Sequence, residues 1–290
     1  MMILHSDANC FYASVEMVEN PDLRNRRIAV CGDPAQRHGI VLTANYPAKR
    51  MGVKTGMANW QATQTCPDLC VVKPHYDKYL KYSKLLQRIY RRYSNNVEPY
   101  GLDECWISLP YDEEDAVEIA EEIRQTVKDE TGLTVSIGAS FSKALAKLGS
   151  DMKKPDALTV LGKNDFKEKC WGLPVSDLLY VGPQTAKKLR SMAITTIGQL
   201  ASAPPEMIFR KLGRNGQMIQ AFANGTDCSG FVMSVYANFG VSLPHSSSAD
   251  RSQGSAVDGL ANAQAGDLIC YSGHVALYIG NGQIVHASTA

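Results

Sequence analysis

Asp7, Asp103 and Glu104 are the residues of this 290-residue chain whose types and placement could do chemistry together. Asp7 closes a short apolar run, and the other two lie between two extended segments, so one sheet could bring all three to a common edge. Three adjacent carboxylates repel one another, and the repulsion is offset when divalent cations sit among them, because magnesium takes carboxylate and phosphate oxygens. Two such ions would activate an attacking hydroxyl and stabilise the departing oxygen of an in-line phosphoryl transfer. Taken singly, Asp7 reads equally well as a helix cap and Asp103 as a turn residue.

The elements that must hold these acids follow from periodicity. Residues 2–6 read as a short buried strand ending at Asp7, and residues 10–18 as a helix. Residues 20–75, rich in glycine, proline and polar turns around short apolar runs, read as a small inserted module. From 77 to 93 the residues Leu80, Leu85, Leu86, Ile89 and Tyr93 recur at helical spacing, opposite Lys78, Lys81, Lys84, Arg88 and Arg91. Residues 97–100 and 105–109 form a hairpin with acids at its tip. Asp112 caps a helix striped by Val117, Ile119, Ala120, Ile123 and Val127 that stops near Gly132. A strand over 133–137 and a helix over 142–152, ending before Pro155, complete an α+β sheet with helices on one face.

Charge divides the chain. The formal net charge is +1, yet from Thr226 onward there is one basic residue, Arg251, against four acids and no lysine. An abrupt shift of this kind marks a domain boundary. Between 180 and 214, Lys187, Lys188, Arg190, Arg210, Lys211 and Arg214 face Glu206 alone, a candidate surface for a phosphate backbone. The eight cysteines are scattered and read as reduced thiols, with Cys66, Cys70 and His75 a poor metal set. No stretch approaches a membrane span, and the start has no basic leader, so the chain reads as cytoplasmic.

The local words are more specific than the composition. Residues 6–16, Ser-Asp-Ala-Asn-Cys-Phe-Tyr-Ala-Ser-Val-Glu, and residues 100–104, Tyr-Gly-Leu-Asp-Glu, resemble the first two motifs of Y-family DNA polymerases. Residues 43–49 with 52–54, residues 140–155, and residues 179–189 resemble, in order, the family's fingers segment, palm helix with its lysine, and thumb helix-hairpin-helix. The resemblance covers residues 2–225. It implies a palm over 1–165 with fingers inserted at about 20–75, and a thumb over 166–225. It also implies a translesion polymerase acting on primer-template DNA and dNTPs with two Mg2+ ions held by Asp7, Asp103, Glu104 and the Ala8 carbonyl. Tyr12 falls at the steric gate that rejects a 2′-hydroxyl. Thr43, Tyr46, Lys49 and Lys154 fall at the triphosphate, and Gly182, Lys187, Lys188 and Arg190 at the DNA backbone. Lys49 stands where arginine is common, Gly101 where serine is usual and Ser142 where asparagine is usual. No sliding-clamp partner is assigned.

The family's little finger is not recognisable after the thumb, which implies weak, distributive synthesis. Instead, residues 225–231, 266–269 and 273–280 resemble NlpC-type cysteine peptidases, a likeness that covers 224–290. That resemblance makes Cys228 a nucleophile at a helix start, His274 its base and His286 the orienting group. Residues 226–290 are then a partial papain-like α+β fragment, and stem peptides of peptidoglycan are partners only if it is active. Because sequence that precedes the cysteine in that family is replaced by the thumb, the fragment is expected to be inert. Asn224 to Asp227 serves both patterns, the expected point at which two unrelated genes are joined. For His274 and His286 to share a sheet face, the hairpin at 280–282 must have a three-residue loop or an equivalent bulge.

Overall fold

A computed structural model describes residues 2–32, 39–226, 232, 235–236, 239–243, 250–271 and 274–285, with the backbone alone at His274. The chain forms two compact units, Met1–Ala139 with Gly149–Val160, and Ser140–Leu148 with Leu161–Ala290.

The first unit is organised by β1 (Met2–Ala8), every residue of which is buried. It lies in a five-stranded sheet of order β5-β6-β1-β7-β8, made with β5 (Val97–Tyr100), β6 (Glu104–Leu109), β7 (Val135–Ser140) and β8 (Leu158–Leu161). β1 and β6 are antiparallel from Met2 opposite Leu109 to Asp7 opposite Glu104. Side chains alternate along a strand, so Leu4 enters the core while His5 and Asp7 share the other face. The core joins Leu4, Ile107, Leu109, Val135 and Ile137 to α4 (Tyr76–Tyr90) and α5 (Glu113–Thr131).

Each helix has a local cause. Asp112 accepts the Asp115 N–H at 3.1 Å, acids fill the first turn of α5, and Gly132 ends it at φ 71°. Such a cap contributes about 1 kcal/mol. The buried stripe of α5 runs through Ala116, Ala120, Ile123, Val127 and Thr131, so Ala116 takes the place expected of Val117. On α4, Leu80 is exposed, contrary to the periodic reading, while Tyr79 and Tyr82 are buried. The tyrosines can go inside because their hydroxyls find acids on α1 (Phe11–Glu19): Tyr79 donates to Glu16 at 2.5 Å and Tyr82 to Glu19 at 2.9 Å.

The inserted segment has its own sheet, order β3-β2-β4, from β2 (Ile28–Cys31), β3 (Val41–Ala44) and β4 (Cys70–Val72). α2 (Tyr46–Arg50) and α3 (Asn59–Thr65) cover a separate small core of Ala29, Cys31, Val41, Ala44, Ala48, Val53, Ala62 and Cys66. Buried Asn45 caps α2 by accepting the Ala48 N–H at 3.1 Å and ties the helix to β2 through the Ile28 N–H.

The second unit carries α7 (Phe166–Cys170), α8 (Pro183–Arg190), α9 (Ile197–Ser202) and α10 (Pro205–Ala223). α6 (Lys143–Met152) runs through both units, and Ser142 accepts the Leu145 N–H at its start, so serine serves as the cap there. α10 is broken at Gly213, φ 63°. Beyond it, β9 (Leu268–Tyr271), β10 (His274–Gly280) and β11 (Gln283–Val285) form a sheet of order β11-β10-β9. Val232, Val235 and Tyr236 are helical, and Val232 packs with Leu243 and Val275.

Candidate active site

The strand register creates the site. Asp7, next to last in β1, lies directly opposite Glu104 at the start of β6, and the Ala8 N–H donates to the Asp103 carbonyl at 3.0 Å. The intervening turn needs Gly101 at φ 81°, a conformation in which the glycine, unlike the serine of the family pattern, is unstrained. Asp7 is 7 % exposed.

Two buried polar groups that the sequence reading passed over brace the site, His5 at an acid and Asn9 at neighbouring segments. His5 is fully buried, with Nε2 3.1 Å from Glu104 Oε2 and Nδ1 2.9 Å from the Ser150 hydroxyl. It sits two residues before Asp7 on the same strand, so period-two alternation could have placed it on the acid face. Asn9, 2 % exposed, makes three bonds: its Oδ1 accepts from the Asp156 N–H and the Thr134 hydroxyl, and its Nδ2 donates to Ser136, each at 2.9 Å. The Asp156 bond ties down the loop that carries Lys154.

Lys154 donates to Asp7 Oδ2 at 2.7 Å and to Asp151 at 2.9 Å. Burial works against its charge, but Asp7 and Asp151 outweigh it and hold the ammonium above its ordinary pKa. On the opposite wall, Thr43 lies near the end of β3, and α2 presents Tyr46 with the Lys49 ammonium 5.3 Å from its ring centre. Burial first, then Cys10 and Asp7, push the Tyr46 phenol upward. Tyr12 stacks on Tyr79, ring centres 4.2 Å apart and planes 12° apart, and its own phenol is raised by burial, Asp103 and Tyr76.

These walls enclose a cleft of about 320 Å³ lined by Asp7, Ala8, Cys10, Phe11, Tyr12, Leu42, Thr43, Tyr46, Lys49, Thr55, Asp103, Glu104 and Lys154. All the residues expected at the metals, the sugar and the triphosphate line it. Cys10, Phe11, Leu42 and Thr55 also line it and were not expected there. The donor types, carboxylates and the Ala8 carbonyl, are those a hard divalent cation takes, and Asp7 draws the Lys154 ammonium. Asp7, Asp103 and Glu104 line one cleft but do not converge on one metal position, nor do any three His, Cys, Asp or Glu side chains among the described residues. Cys66 bonds Asp68 and His75 pairs with Glu16.

In the second unit, Gly182 precedes α8 with no side-chain cap, while Lys187, Lys188 and Arg190 lie in the helix's last turn. All four are exposed.

Of the second trio, Cys228 and His286 lie outside the described residues, and His274 opens β10 opposite Tyr271. The hairpin has a two-residue Asn281-Gly282 turn, φ 53° and 71°, pairing Gly280 with Gln283. The register then shifts at Ile279, so Tyr278 faces Ile284 and Leu277 faces Val285. This is the bulge expected as the alternative to a three-residue loop. The Asn-Gly turn matches the strand twist, and the extra residue shifts the pairing of Tyr278 and Leu277 by one position.

Residues 6–151 match the model of the impB/mucB/samB family. Residues 210–290 match that of the NlpC/P60 family, which therefore begins inside α10 rather than at 224. A DNA polymerase IV of Acetivibrio thermocellus is 53% identical over 231 residues, covering 79% of this chain and 58% of that protein. DNA polymerase IV 1 of Bacillus subtilis is 43% identical over 227 residues, covering 77% and 55%. The chain thus spans a little over half the length of these relatives. The crystal structure of DinB from Sulfolobus solfataricus superposes with a TM-score of 0.72 at 24% identity, covering 78% of this chain and 67% of that one, and shares its fold. With half its length matched by the first model, the chain belongs to the impB/mucB/samB family.

Proposed function

We propose that residues 2–225 are the catalytic core of a Y-family translesion DNA polymerase acting on primer-template DNA and dNTPs. The observation that carries this reading is the pairing of Asp7 with Glu104 at the mouth of a cleft whose opposite wall bears Thr43, Tyr46 and Lys49. Asp7, Asp103, Glu104 and the Ala8 carbonyl would hold two Mg2+ ions. When bound, such ions lower the pKa of the primer hydroxyl and stabilise charge on the leaving phosphates.

The chain's own residues do the rest. Lys154 and Lys49 bring positive charge to the triphosphate, Lys49 as a point charge without the fork of an arginine. Tyr46 and Thr43 offer hydroxyls to it. Tyr12 lines the cleft at the position of the family's steric gate, and as the gate its ring excludes a 2′-hydroxyl by collision. Gly182, Lys187, Lys188 and Arg190 grip the DNA backbone without reading sequence. Within these residues the grip on DNA rests on palm and thumb, so synthesis is distributive and sensitive to salt. No peptide hydrolysis is assigned to residues 226–290, because sequence that precedes the cysteine in NlpC-type peptidases is replaced here by polymerase sequence.

Single-nucleotide primer extension with Mg2+ tests the proposal. Asp7→Ala and Asp103→Ala should each abolish extension and leave DNA binding and the unfolding midpoint nearly unchanged. Near-normal turnover in either variant rejects the assignment.

A further inference from the structure

Glu16 is a buried carboxylate, 2 % exposed, with no part in the chemistry described above. Burying an acid is unfavourable unless hydrogen bonds satisfy it, and an apolar residue would fill the same space on α1 without that penalty. Its partners show what it holds. Tyr12 and Glu16 are four residues apart on α1, hence on one face of the helix. Tyr79 of α4 lies along that face. Its ring stacks on Tyr12 and its hydroxyl donates to Glu16 Oε1 at 2.5 Å. His75, one turn earlier, has Nδ1 2.9 Å from the same oxygen, and toward a carboxylate it can only donate.

We infer that Glu16 is a positioning residue for sugar selection: it pins the Tyr79 ring that backs Tyr12, and so keeps Tyr12 from yielding to a 2′-hydroxyl. The inference rests on the reading of Tyr12 as the gate. Exclusion by collision is only as strong as the support behind the colliding ring. Stacked rings slide over one another easily, so stacking alone gives Tyr12 a soft backing. The bond from the Tyr79 hydroxyl to Glu16 fixes the lower ring within its plane. His75 holds the carboxylate from its half-exposed side and fastens the start of α4 to α1.

The test compares ATP with dATP, both in single-nucleotide insertion and in equilibrium binding to the full chain on primer-template. Glu16→Leu and Tyr79→Phe should each raise the ATP-to-dATP ratio of kcat/KM by about tenfold, the scale of one lost hydrogen bond to a charged acceptor. The dATP values themselves should hold within about threefold, and the double variant should do no more than either single one. Glu16→Gln, which keeps an acceptor for Tyr79, should retain discrimination. Tyr12→Ala gives the ceiling. If Tyr12→Ala leaves the ratio unchanged, the gate reading fails and this inference with it. If Tyr12→Ala raises the ratio while Glu16→Leu and Tyr79→Phe only lower the unfolding midpoint, the gate stands and the role of Glu16 is overturned.

Discussion

Replacing Asn9 by alanine tests whether the cleft is held together from behind its acids. The side chain makes three hydrogen bonds at 2.9 Å, a buried one to Ser136 and partly buried ones to Asp156 and Thr134. A net contribution of about 1 kcal/mol apiece puts the destabilisation near 3 kcal/mol, with the orphaned Asp156 N–H the worst single consequence. At about 2–4 °C per kcal/mol, the first unit should unfold roughly 6–12 °C lower. The functional effect should be separable from this. Asp156 follows Lys154 by two residues, so freeing its N–H loosens the loop whose lysine meets Asp7 at 2.7 Å. Steady-state insertion should therefore show the KM for dNTP rising by about tenfold, as misplacement of a charged group would give, with a smaller change in kcat. Asn9→Asp keeps the acceptor for Asp156 and Thr134 and lets Ser136 donate, so it should recover much of the stability. An unchanged KM in a destabilised Asn9→Ala would reduce Asn9 to a structural bracket. An unchanged midpoint would refute the hydrogen-bond argument itself.

Two further outcomes follow from charge. Alanine at Lys187, Lys188 and Arg190 should flatten the dependence of log binding constant on log salt by about one for each phosphate no longer met by a cation. An unaltered slope in the triple variant would remove the last turn of α8 from the DNA surface. In alkali, burial holds the Tyr79 and Tyr90 phenols above their ordinary pKa of 10. The folded state then keeps protons that the unfolded chain gives up, so this stability is complete below pH 10 and is lost as pH climbs toward the folded values. Each such phenol removes about 1.4 kcal/mol of unfolding free energy per pH unit above 10. Because burial also raises Tyr46 and Tyr82, Tyr90→Phe should lessen the slope seen in urea titrations by about 1.4 kcal/mol per pH unit without abolishing it, and a flat profile in the parent chain would refute the linkage.

What the sequence disclosed and what it withheld separate by the range of the interactions involved. Asp7, Asp103 and Glu104 were legible because strand ends and a hairpin tip are local patterns, and sheet pairing can bring such ends together. The cap at Asp112 and the stop at Gly132 are local as well. His5 and Asn9 were missed because their meaning depends on partners more than a hundred positions away: Ser150 for one, Ser136 and Asp156 for the other. Without those partners, one reads as a core histidine and the other as a loop amide.

The α4 helix shows a second limit. Periodicity ranked Leu80 above Tyr79 because it weighs apolar surface and cannot see that Glu16 waits to receive a phenol. A buried tyrosine needs two helices to satisfy it, and only one of them is in the window being read. The tail shows the reverse case. There the required facing of residues 274 and 286 restricted the hairpin to a three-residue loop or a bulge, and the strand pairing shows the bulge at Ile279. The bulge is a backbone detail that turn chemistry alone would have missed, since Asn281-Gly282 by itself asks for an uninterrupted two-residue hairpin, while the histidine facing it was expected to serve lies outside the described residues. The NlpC/P60 match opens at residue 210, inside α10, whereas the impB/mucB/samB match ends at residue 151, so the break of α10 at Gly213 lies within the second match alone.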